Sequence, residues 1–420
     1  MEVILMYIHR TMEAKLKNLA SHFPVVMVCG ARQVGKTTLL NQIREKNKEI
    51  QYVTLDYPML RTLAREDPEL FLQQYRTPLI IDEFQYAPEL LPYIKIRTDQ
   101  AKQNGLYYLT GSQLFPMMKN VSESLAGRTG ILTMYSLSRA EIEGRTSVPF
   151  LPDNTNTTKF THTLANAMPN TTESITAIFE KIFRGGMPRM IADKELLPED
   201  YFGAYLQTYL ERDIRDLITI KDEGKFLKFL SCTAARTSQE VNLADLAKDV
   251  EIDRKTADGW MSVLRSSGLI YLLPPYSGNT IKRIVKRPKL YFMDTGLACY
   301  LSLWNNPRTL ELSAMAGAMF ENYVITEIIK SYANQGIDTR SRLCYYRDNN
   351  GKEIDLLILE NGKLYPIGIK KNADPGRHAL KNFHILDSLP EETGDGAIIC
   401  MAPMIIPLDA RHKLIPVSCI

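Results

Sequence analysis

The sequence predicts an α/β protein of several domains, the first of which is built on a mostly parallel sheet. Two observations indicate this class. Short apolar runs alternate with helical patterns through residues 25–135, and such alternation favours parallel strands joined by helical crossovers. The chain of 420 residues is also long enough for about three domains, and a composition that is 45% apolar supplies a core for each of them.

The elements of the first domain follow in order, beginning with an amphipathic helix over residues 9–20. A helix is also expected from Lys36 onward, directly after a glycine-containing loop. Strands are predicted where the apolar runs are short and rich in β-branched or aromatic residues, at residues 25–29, 52–55, 79–81, 106–109 and 131–135. We place these elements in a domain covering residues 1–150.

Composition divides the rest of the chain. Residues 151–173 are rich in Asn, Thr and Pro and lack apolar periodicity, which predicts an exposed linker or insertion. Residues 174–230 are rich in helical pattern, and residues 231–300 contain two short helices joined by a tight turn. Residues 301–420 return to alternating strands and helices.

Charge and cysteine content narrow the class of protein. The chain has 51 basic and 48 acidic residues and a net charge of +3, which excludes a uniformly basic nucleic-acid binder and leaves only a local basic patch. Six cysteines without CxxC spacing suit a reducing compartment. No apolar run approaches the roughly 18 residues of a membrane span, and the one near the start is too short for a signal peptide. We therefore predict a cytoplasmic protein without membrane segments.

The run GARQVGKT, residues 30–37, matches the phosphate-binding P-loop pattern G-x-x-x-x-G-K-[ST] at every fixed position. In such a loop, backbone N–H groups and the following helix N-terminus face phosphate oxygens. Lys36 is expected to reach the β- and γ-phosphates of ATP, and Thr37 to bind Mg²⁺. A structural glycine turn is the alternative, which the flanking strand and helix disfavour. The predicted nucleotide-binding residues are Gly30, Ala31, Arg32, Gln33, Val34, Gly35, Lys36, Thr37 and Thr38.

Acidic residues end a later strand, in PLIIDEFQ (residues 78–85). Asp82 would complete the Mg²⁺ site, and Glu83 would orient the attacking water. An acid beside the metal ligand favours hydrolysis over nucleotide storage. Two solvated turn carboxylates are the alternative.

Two further motifs add polar residues. LYYLTGS contains Thr110 and Ser112, either of which could bind the γ-phosphate or the water. SLAGRTG places Arg128 after a helix, where it could neutralise charge at a neighbouring protomer's nucleotide; a helix-end arginine favoured by the macrodipole is the alternative. The predicted catalytic residues are Glu83, Lys36, Arg128 and Ser112, and the predicted metal ligands are Thr37 and Asp82.

These motifs, with LDYPMLRTLAREDPELFL, GGMPRM, YLQTYLERDI and KEIDLLI, resemble those of a family of prokaryotic AAA-type ATPases. In that family the C-terminal half carries a winged helix and a restriction-nuclease-like fold. The resemblance covers nearly the whole chain. It implies the ATP and Mg²⁺ roles given above, a polar sensor at Ser112 or Thr110, and an arginine finger at Arg128. It also implies a helical lid at 174–230, a winged-helix domain at 231–300 and a degenerate nuclease-like domain at 301–420.

In the lid, the run RGGMPRM interrupts a helix. Arg184 and Arg189 could face the nucleotide from this side, although a solvated lid arginine is the favoured interpretation of Arg189.

The winged-helix segment combines an apolar face with local positive charge. Asp253 is predicted to cap the second helix, whose core side carries Ala257, Trp260 and Leu264. The first helix would present Leu243, Leu246 and Val250. Predicted DNA phosphate contacts are Arg254, Lys255, Lys282, Arg283, Lys286, Arg287 and Lys289. A protein-contact module with a solvated basic hairpin is the alternative.

The last domain resembles a nuclease that lacks one carboxylate. Asp355 and Lys370 fit the nuclease pattern and Glu321 fits a helix acid, but Gly368 stands where a Glu is expected. One carboxylate and a lysine cannot readily hold catalytic Mg²⁺, so we expect a binding role. Glu353 or Glu360 could substitute only if the strand register were displaced.

The leading prediction is a Mg²⁺-dependent ATPase that couples ATP binding and hydrolysis to conformational change on DNA or a protein partner. A nucleotide-dependent switch with little turnover and an ATP-dependent nuclease are the alternatives. If Arg128 acts on a neighbour, a homo-oligomer must form.

Overall fold

The computed structural model describes residues 7–111, 125–155, 173–209, 223–277, 287–348 and 350–420. The predicted α/β class is confirmed, and all five predicted N-terminal strands are present with bounds shifted by no more than a few residues. The elements of this region are α1 (Met12–His22), β1 (Val25–Cys29), α2 (Lys36–Lys46), β2 (Gln51–Thr54), α3 (Pro58–Glu66), α4 (Pro68–Gln73), β3 (Leu79–Asp82), α5 (Leu90–Ala101), β4 (Tyr107–Gly111), β5 (Thr129–Thr133) and α6 (Arg139–Ile142).

Within the described residues, β1 to β5 form a sheet with the order β2-β3-β4-β1-β5. Every pairing in it is parallel, so the carboxyl ends of all its strands lie at one edge. The central strand β1 is fully buried. Its residues alternate between two apolar clusters, with Val26 and Val28 in one and Val25 and Met27 in the other, because both faces of a parallel sheet are covered.

The middle region is mainly helical and includes a two-stranded antiparallel sheet. Asp253 caps the helix that begins at Arg254, as predicted, accepting a hydrogen bond from the Thr256 backbone N–H at 2.9 Å, and Trp260 and Leu264 are buried. The elements are α7 (Ile175–Arg184), α8 (Pro188–Ala192), α9 (Pro198–Tyr209), α10 (Glu223–Ala234), α11 (Leu243–Val250), α12 (Arg254–Ser266), β6 (Ile270–Leu273), β7 (Lys289–Phe292), α13 (Thr295–Leu301) and α14 (Pro307–Glu311).

The C-terminal region has a long buried helix against a mixed sheet. The elements are α15 (Ala316–Ala333), β8 (Leu343–Arg347), β9 (Glu353–Glu360), β10 (Lys363–Ile369), β11 (Glu392–Thr393), β12 (Gly396–Cys400), β13 (Ile406–Pro407) and β14 (His412–Pro416). Among the described residues the strand order is β13-β14-β12-β10-β9-β8, with β11 beside β10. Asn361 and Gly362 both have positive φ, which suits the tight turn between β9 and β10.

The three regions share one apolar core. A single buried cluster includes Val28 of β1, Trp260 of α12 and Ile325 of α15. The regions therefore pack against one another directly, and the domain bounds drawn from the sequence stay predictions. Across the ranges that the structure describes, no helix is both long enough and apolar enough to cross a membrane.

Candidate functional site

The phosphate loop leaves the carboxyl end of β1 and curls into the N-terminus of α2. Gly30, Gln33 and Gly35 all have positive φ, and Gly35 directly precedes the helix. A Cβ atom placed on Gly30 would lie 2.0 Å from the Met134 carbonyl oxygen. Only glycine fits there, because the loop passes directly over the chain that follows β5.

Lys36 begins α2 and is 7% exposed. Its Nζ donates hydrogen bonds to the carbonyl oxygens of Gly30 and Ala31 at 2.9 and 2.8 Å. These contacts hold the ammonium group against the first two residues of the loop. The predicted lysine therefore lies beside the loop amides that the sequence assigns to phosphate.

Asp82 ends β3 and is the meeting point of three hydroxyl groups. Thr37 Oγ1 donates to its carboxylate at 3.0–3.1 Å and the Tyr52 hydroxyl at 2.8 Å. The Thr110 hydroxyl also donates to it. The two predicted metal ligands, Thr37 and Asp82, are thus brought into contact, with oxygen atoms of the kind that Mg²⁺ prefers.

Sequence reasoning missed Tyr52. It lies on β2 opposite Ile80 of β3, so its ring runs along the strand toward Asp82. The phenol looks like an ordinary strand residue in the sequence, and the pairing of β2 with β3 is what brings it to Asp82.

Glu83 follows Asp82 in a left-handed backbone conformation with φ of 54°. Its backbone N–H donates to Thr110 Oγ1 at 3.2 Å, and the Gln85 amide donates to its carboxylate. Burial raises the pKa of the Glu83 carboxyl, opposed chiefly by the hydrogen bond from Gln85. A carboxylate with a raised pKa is suited to accept a proton from water.

The loop and Glu83 open on a cavity of about 560 Å³. Its other walls come from the N-terminal segment, from the chain after β5 and from α8 and α9. Arg189 lines this cavity and is exposed, so its side chain faces the site and is also solvated. The lining residues are Tyr7, Ile8, Arg10, Arg32, Gln33, Val34, Gly35, Lys36, Thr37, Thr38, Glu83, Met134, Leu137, Pro188, Arg189, Ala192 and Thr208.

Arg184 does not face this cavity, and that expectation was wrong. Its guanidinium donates to the carbonyl oxygens of Met190 and Asp193. The side chain therefore satisfies carbonyl groups at the end of α8, a local structural role that the residue type alone does not indicate.

Ser112 lies outside the described residues, and Arg128 lies far from the loop. Arg128 immediately precedes β5, whereas Thr133 at the other end of β5 pairs with Cys29 next to the loop. Five strand residues separate the two ends by roughly 17 Å. Arg128 forms two hydrogen bonds with the exposed Asp99, at 2.6 and 3.0 Å.

The predicted basic surface is only partly described. Arg254 and Lys255 at the start of α12 and Arg287 before β7 are exposed, whereas Lys282, Arg283 and Lys286 lie outside the described residues.

Lys289 does not belong to that surface, which corrects the sequence interpretation. It is 2% exposed, and its Nζ lies 3.1 Å from Glu321 Oε1 and also contacts Glu353. Every residue of β7 is buried, so both faces of the strand are covered and a side chain on either face enters the protein.

The C-terminal carboxylates gather around this buried lysine. Glu321 also accepts a hydrogen bond from the Tyr291 hydroxyl at 2.8 Å. Burial, together with the nearby Asp355 carboxylate, raises the pKa of Glu321 to about 7. Asp355 accepts from the Ile369 backbone N–H at 2.7 Å, and its carboxylate lies 3.5 Å from Lys370 Nζ. Within the described ranges, no group of three or more His, Cys, Asp or Glu side chains could hold a metal ion.

Neither Gly368 nor Glu360 adds a carboxylate to these acids, although Gly368 precedes Ile369, whose N–H donates to Asp355. A Cβ on Gly368 would come within 2.5 Å of Ile398 Cδ1, so the side of β10 where a glutamate was expected packs against the core. Glu360 pairs with Arg342 at the far end of β9. The β8–β9 register does shift, between Cys344 and Tyr346, and Glu353 lies beside Lys289.

Comparison with known proteins agrees with the N-terminal geometry. Residues 22–143 match the family model described as AAA domain, which identifies an AAA-type P-loop ATPase domain in this part of the chain. Residues 175–308 match a model described as Domain of unknown function (DUF8612), and residues 316–420 match Domain of unknown function (DUF4143).

Relatives that match most of the chain include uncharacterized proteins of Mycobacterium tuberculosis and Mycobacterium bovis. Each is 25% identical over 369 residues, which cover 87% of this chain and 74% of the relative. Among solved structures, a Walker-type ATPase of Pyrococcus abyssi has 14% identity and a TM-score of 0.44, covering 70% of this chain and 95% of that one. AMPPCP-bound DnaA from Aquifex aeolicus has 13% identity and a TM-score of 0.29, covering 60% and 85%.

Proposed function

We propose that this protein is a Mg²⁺-dependent ATPase that couples ATP binding and hydrolysis to a conformational change on DNA or a protein partner. The observation that carries the proposal is the convergence of Lys36, Thr37 and Glu83 on one cavity, with Asp82 bound to Thr37. In this proposal the loop amides and Lys36 bind the phosphates. Thr37 and Asp82 hold Mg²⁺, which supplies charge neutralisation at the phosphates, and Glu83 accepts a proton from the attacking water.

Coupling is supported by contacts between the phosphate loop and the other regions. A Cβ on Gly268, in the turn between α12 and β6, would lie 3.4 Å from the Ala31 backbone nitrogen. On the lid side, the Tyr201 hydroxyl donates to Gln33 Oε1 at 2.8 Å. If the loop rearranges around phosphate, it would therefore displace Gly268 and Tyr201. The contacts of the loop would then differ between the free and the bound state, and coupling requires such a difference.

The lid glycines add a second connection. Leu137 N–H donates to the Gly186 carbonyl at 2.8 Å, and Gly186 N–H donates to the Asp294 carboxylate at 2.9 Å. Pro188 and Arg189, two and three residues further on, line the cavity. A movement of this cavity wall would therefore shift Gly186 and, through its hydrogen bond, Asp294. Asp294 is the N-cap residue of α13, the helix that follows β7.

The test is ATP turnover by the purified full chain, with and without Mg²⁺ and with duplex, single-stranded or branched DNA. We expect wild-type turnover to need Mg²⁺ and Lys36→Ala to abolish it. Wild-type turnover no higher than that of Lys36→Ala, under every DNA condition, would overturn the proposal.

DNA as the partner is favoured by the exposed Arg254, Lys255 and Arg287, and we propose that α12 and the residues before β7 contact phosphates as in a winged helix. The double variant Arg254→Ala/Lys255→Ala should weaken DNA binding and reduce its salt dependence. Exposed lysines on the sheet domain offer a matched control, Lys17→Ala/Lys95→Ala. Equal DNA affinity for both double variants would favour a protein partner.

Arg128 would act on a second protomer in this proposal, because it lies at the wrong end of β5 to reach its own loop. Mixing Lys36→Ala with Arg128→Ala should restore part of the turnover that each variant lacks alone, since one mixed interface retains both residues. If both variants are folded and mixing restores no turnover, the role of Arg128 would be limited to its ion pair with Asp99.

We propose that the C-terminal region has a degenerate nuclease-like fold that serves in binding. The support is that Lys289 Nζ contacts both Glu321 and Glu353, so a divalent cation would have to displace an ammonium group from a buried site. Plasmid cleavage that disappears in Asp355→Ala would instead favour an ATP-dependent nuclease.

A further inference from the structure

A smaller cavity lies between α6, α7 and α15, beside the cavity that the phosphate loop lines. We call it the junction cavity, because residues of the N-terminal, middle and C-terminal regions all line it. Its volume is about 100 Å³. That is room for about three water molecules, and therefore for a small ion but not for a nucleotide. The charged lining residues are Arg139, Glu143, Lys181, Arg184, Glu327 and Lys330.

Three of the four cationic side chains contact a carboxylate in the lining of the junction cavity. Arg139 Nε donates to Glu143 at 2.8 Å, and Lys181 Nζ lies 3.3 Å from the same carboxylate. Lys330 Nζ donates to Glu327 at 3.0 Å. Because both carboxylates line the cavity, these three charged groups lie at its wall.

Positive charge exceeds negative charge around this cavity. Glu173 lies outside the lining and also pairs with Arg139 and Lys181, so three carboxylates face four cations. Arg184 is the cation that has no carboxylate partner among the described residues. Its Nε and Nη2 donate to backbone carbonyl oxygens, which hold the guanidinium in place and use two of its five donors. An anion would supply the charge that these carbonyl groups lack.

Other donors line the same cavity. Lys330 Nζ also donates to the Leu137 carbonyl oxygen at 3.2 Å, and an ammonium group has a third N–H to offer. Burial raises the pKa of the Tyr323 phenol, so this hydroxyl keeps the proton that it can donate. Guanidinium, ammonium and hydroxyl groups together are the donors that oxyanions accept from.

We propose that the junction cavity binds one small inorganic oxyanion of the size of phosphate or sulfate. The anion neutralises the charge of Arg184 and accepts hydrogen bonds from Lys330 and Tyr323. Lys181 provides a further cation, and its side chain is 38% exposed, so solvent reaches this side of the cavity.

One stretch of wall connects the junction cavity with the cavity of the phosphate loop. Leu137 lines both. Its N–H donates to the Gly186 carbonyl oxygen at 2.8 Å, and its own carbonyl accepts from Lys330. Gly186 lines the junction cavity, and Pro188 lines the other. An anion that shifts Lys330 would therefore move Leu137, so we expect its binding to change the affinity for ATP. This coupling rests on the proposed nucleotide site.

Calorimetry of inorganic phosphate binding to the full chain tests the site. Phosphate could also bind the phosphate loop, so Lys36→Ala is the background in which that loop is disabled. We expect this variant to bind one phosphate, and sulfate with similar affinity. Lys181→Met and Arg184→Met, each in the same background, should weaken phosphate binding by about tenfold or more, because each removes a charged partner.

Lys363→Met is the matched control. The Lys363 side chain is 39% exposed and pairs with a glutamate, as Lys181 does, but it does not line the junction cavity. It should leave phosphate affinity unchanged. Lys181→Met keeps the test valid if Arg184→Met fails to fold, since Lys181 is partly exposed. Equal weakening by Lys181→Met and Lys363→Met, or no saturable phosphate binding to Lys36→Ala, would overturn the inference.

The coupling is measured as the ATP dissociation constant with and without phosphate. Phosphate should change this constant by about fivefold or more in wild type, and part of the change should disappear in Lys181→Met. An equal change in both proteins would mean simple competition at the loop and would overturn the coupling.

Failure of the inference can be told apart from failure of the proposed function. If Lys36→Ala binds phosphate in a manner that depends on Lys181, and wild type binds no ATP, the nucleotide site is wrong and the junction site stands. If wild type binds ATP, and phosphate binding to Lys36→Ala depends on neither Lys181 nor Arg184, only the junction site is wrong.

Discussion

Two clusters of carboxylates lie beside strands in this protein, and they differ in the groups that contact the carboxylates. In the N-terminal cluster, Asp82 accepts hydrogen bonds from the neutral hydroxyls of Thr37, Tyr52 and Thr110. In the C-terminal cluster, the ammonium of the buried Lys289 contacts Glu321.

This difference shows why carboxylates beside a strand can bind a cation in one region and stabilise the fold in another. Hydroxyl groups leave the charge of a carboxylate uncompensated, so a cation can bind beside them without displacing another charge. An ammonium group compensates the charge, and its removal leaves an unpaired buried ion. The first cluster is thus suited to binding a cation. The second is suited to holding β7, α15 and β9 together, since Lys289, Glu321 and Glu353 lie on these three elements.

Glu83→Gln gives the largest expected effect on the N-terminal cluster. We expect ATP turnover to fall by about 10²- to 10⁴-fold, because the amide cannot accept a proton from water. ATP affinity should stay close to that of wild type, since Lys36 and the loop remain. Phosphate release and calorimetry measure the two quantities, and unchanged slow turnover would favour the nucleotide switch.

Lys289→Met gives the largest expected effect on the C-terminal cluster. Removing the ammonium leaves Glu321 and Glu353 without their shared cation, which should destabilise the fold by about 3–5 kcal/mol in urea unfolding. The half-exposed Lys370 lies 3.5 Å from Asp355, and Lys370→Met should cost less than about 1 kcal/mol. Equal costs for the two variants would remove the contrast drawn between the clusters.

The pH dependence of stability offers a smaller effect. Burial and the nearby Asp355 raise the pKa of Glu321 from 4.5 to about 7, so the folded protein binds this proton more tightly than the unfolded chain. The stability it contributes is fully present below pH 4.5 and is lost as pH rises through 7. Wild type should therefore lose roughly 1–3 kcal/mol more than Glu321→Gln over this window.

Thermal unfolding at a series of pH values checks that prediction. Glu45→Gln, on the exposed face of α2, is the control and should follow wild type. A wild-type profile that coincides with that of Glu321→Gln would contradict the raised pKa.

Tyr52→Phe gives the smallest expected effect. It removes one of three hydroxyl donors to Asp82, which corresponds to about 1 kcal/mol and a several-fold change in turnover. Tyr75→Phe, on the half-buried ring that follows α4, is the matched control. The measurement is the rate of ATP turnover by each variant. Identical rates for Tyr52→Phe and Tyr75→Phe would show that the hydrogen bond from Tyr52 to Asp82 does not contribute to turnover.

Local sequence patterns were enough to predict that the loop over residues 30–37 leads into a helix and that Asp82 ends a strand. Both features are encoded by consecutive residues whose backbone conformation depends on glycine and on strand periodicity, and the roles assigned to these residues stay predictions. The five strands were found because each is a short run rich in apolar residues, although only β1, β3 and β4 are buried at every residue.

Other assignments needed contacts between residues that are distant in sequence. Lys289 was taken for part of a basic surface because its neighbours are basic, yet β7 turns it toward acids on α15 and β9. Tyr52 and Lys330 attracted no notice, because a strand tyrosine and a helix lysine are unremarkable until β3 and the junction cavity lie beside them.

The amino-acid sequence by itself determined the loop that can hold phosphate and the order of strands and helices, because both depend on short-range backbone preferences and on apolar spacing. Tertiary packing alone decided which charged groups face a cavity, where a ligand could contact them, and which are paired with a counter-ion. Whether a lysine or a carboxylate faces a cavity or a counter-ion depends on strands brought together from opposite parts of the chain, and burial there governs the electrostatic cost of each charge.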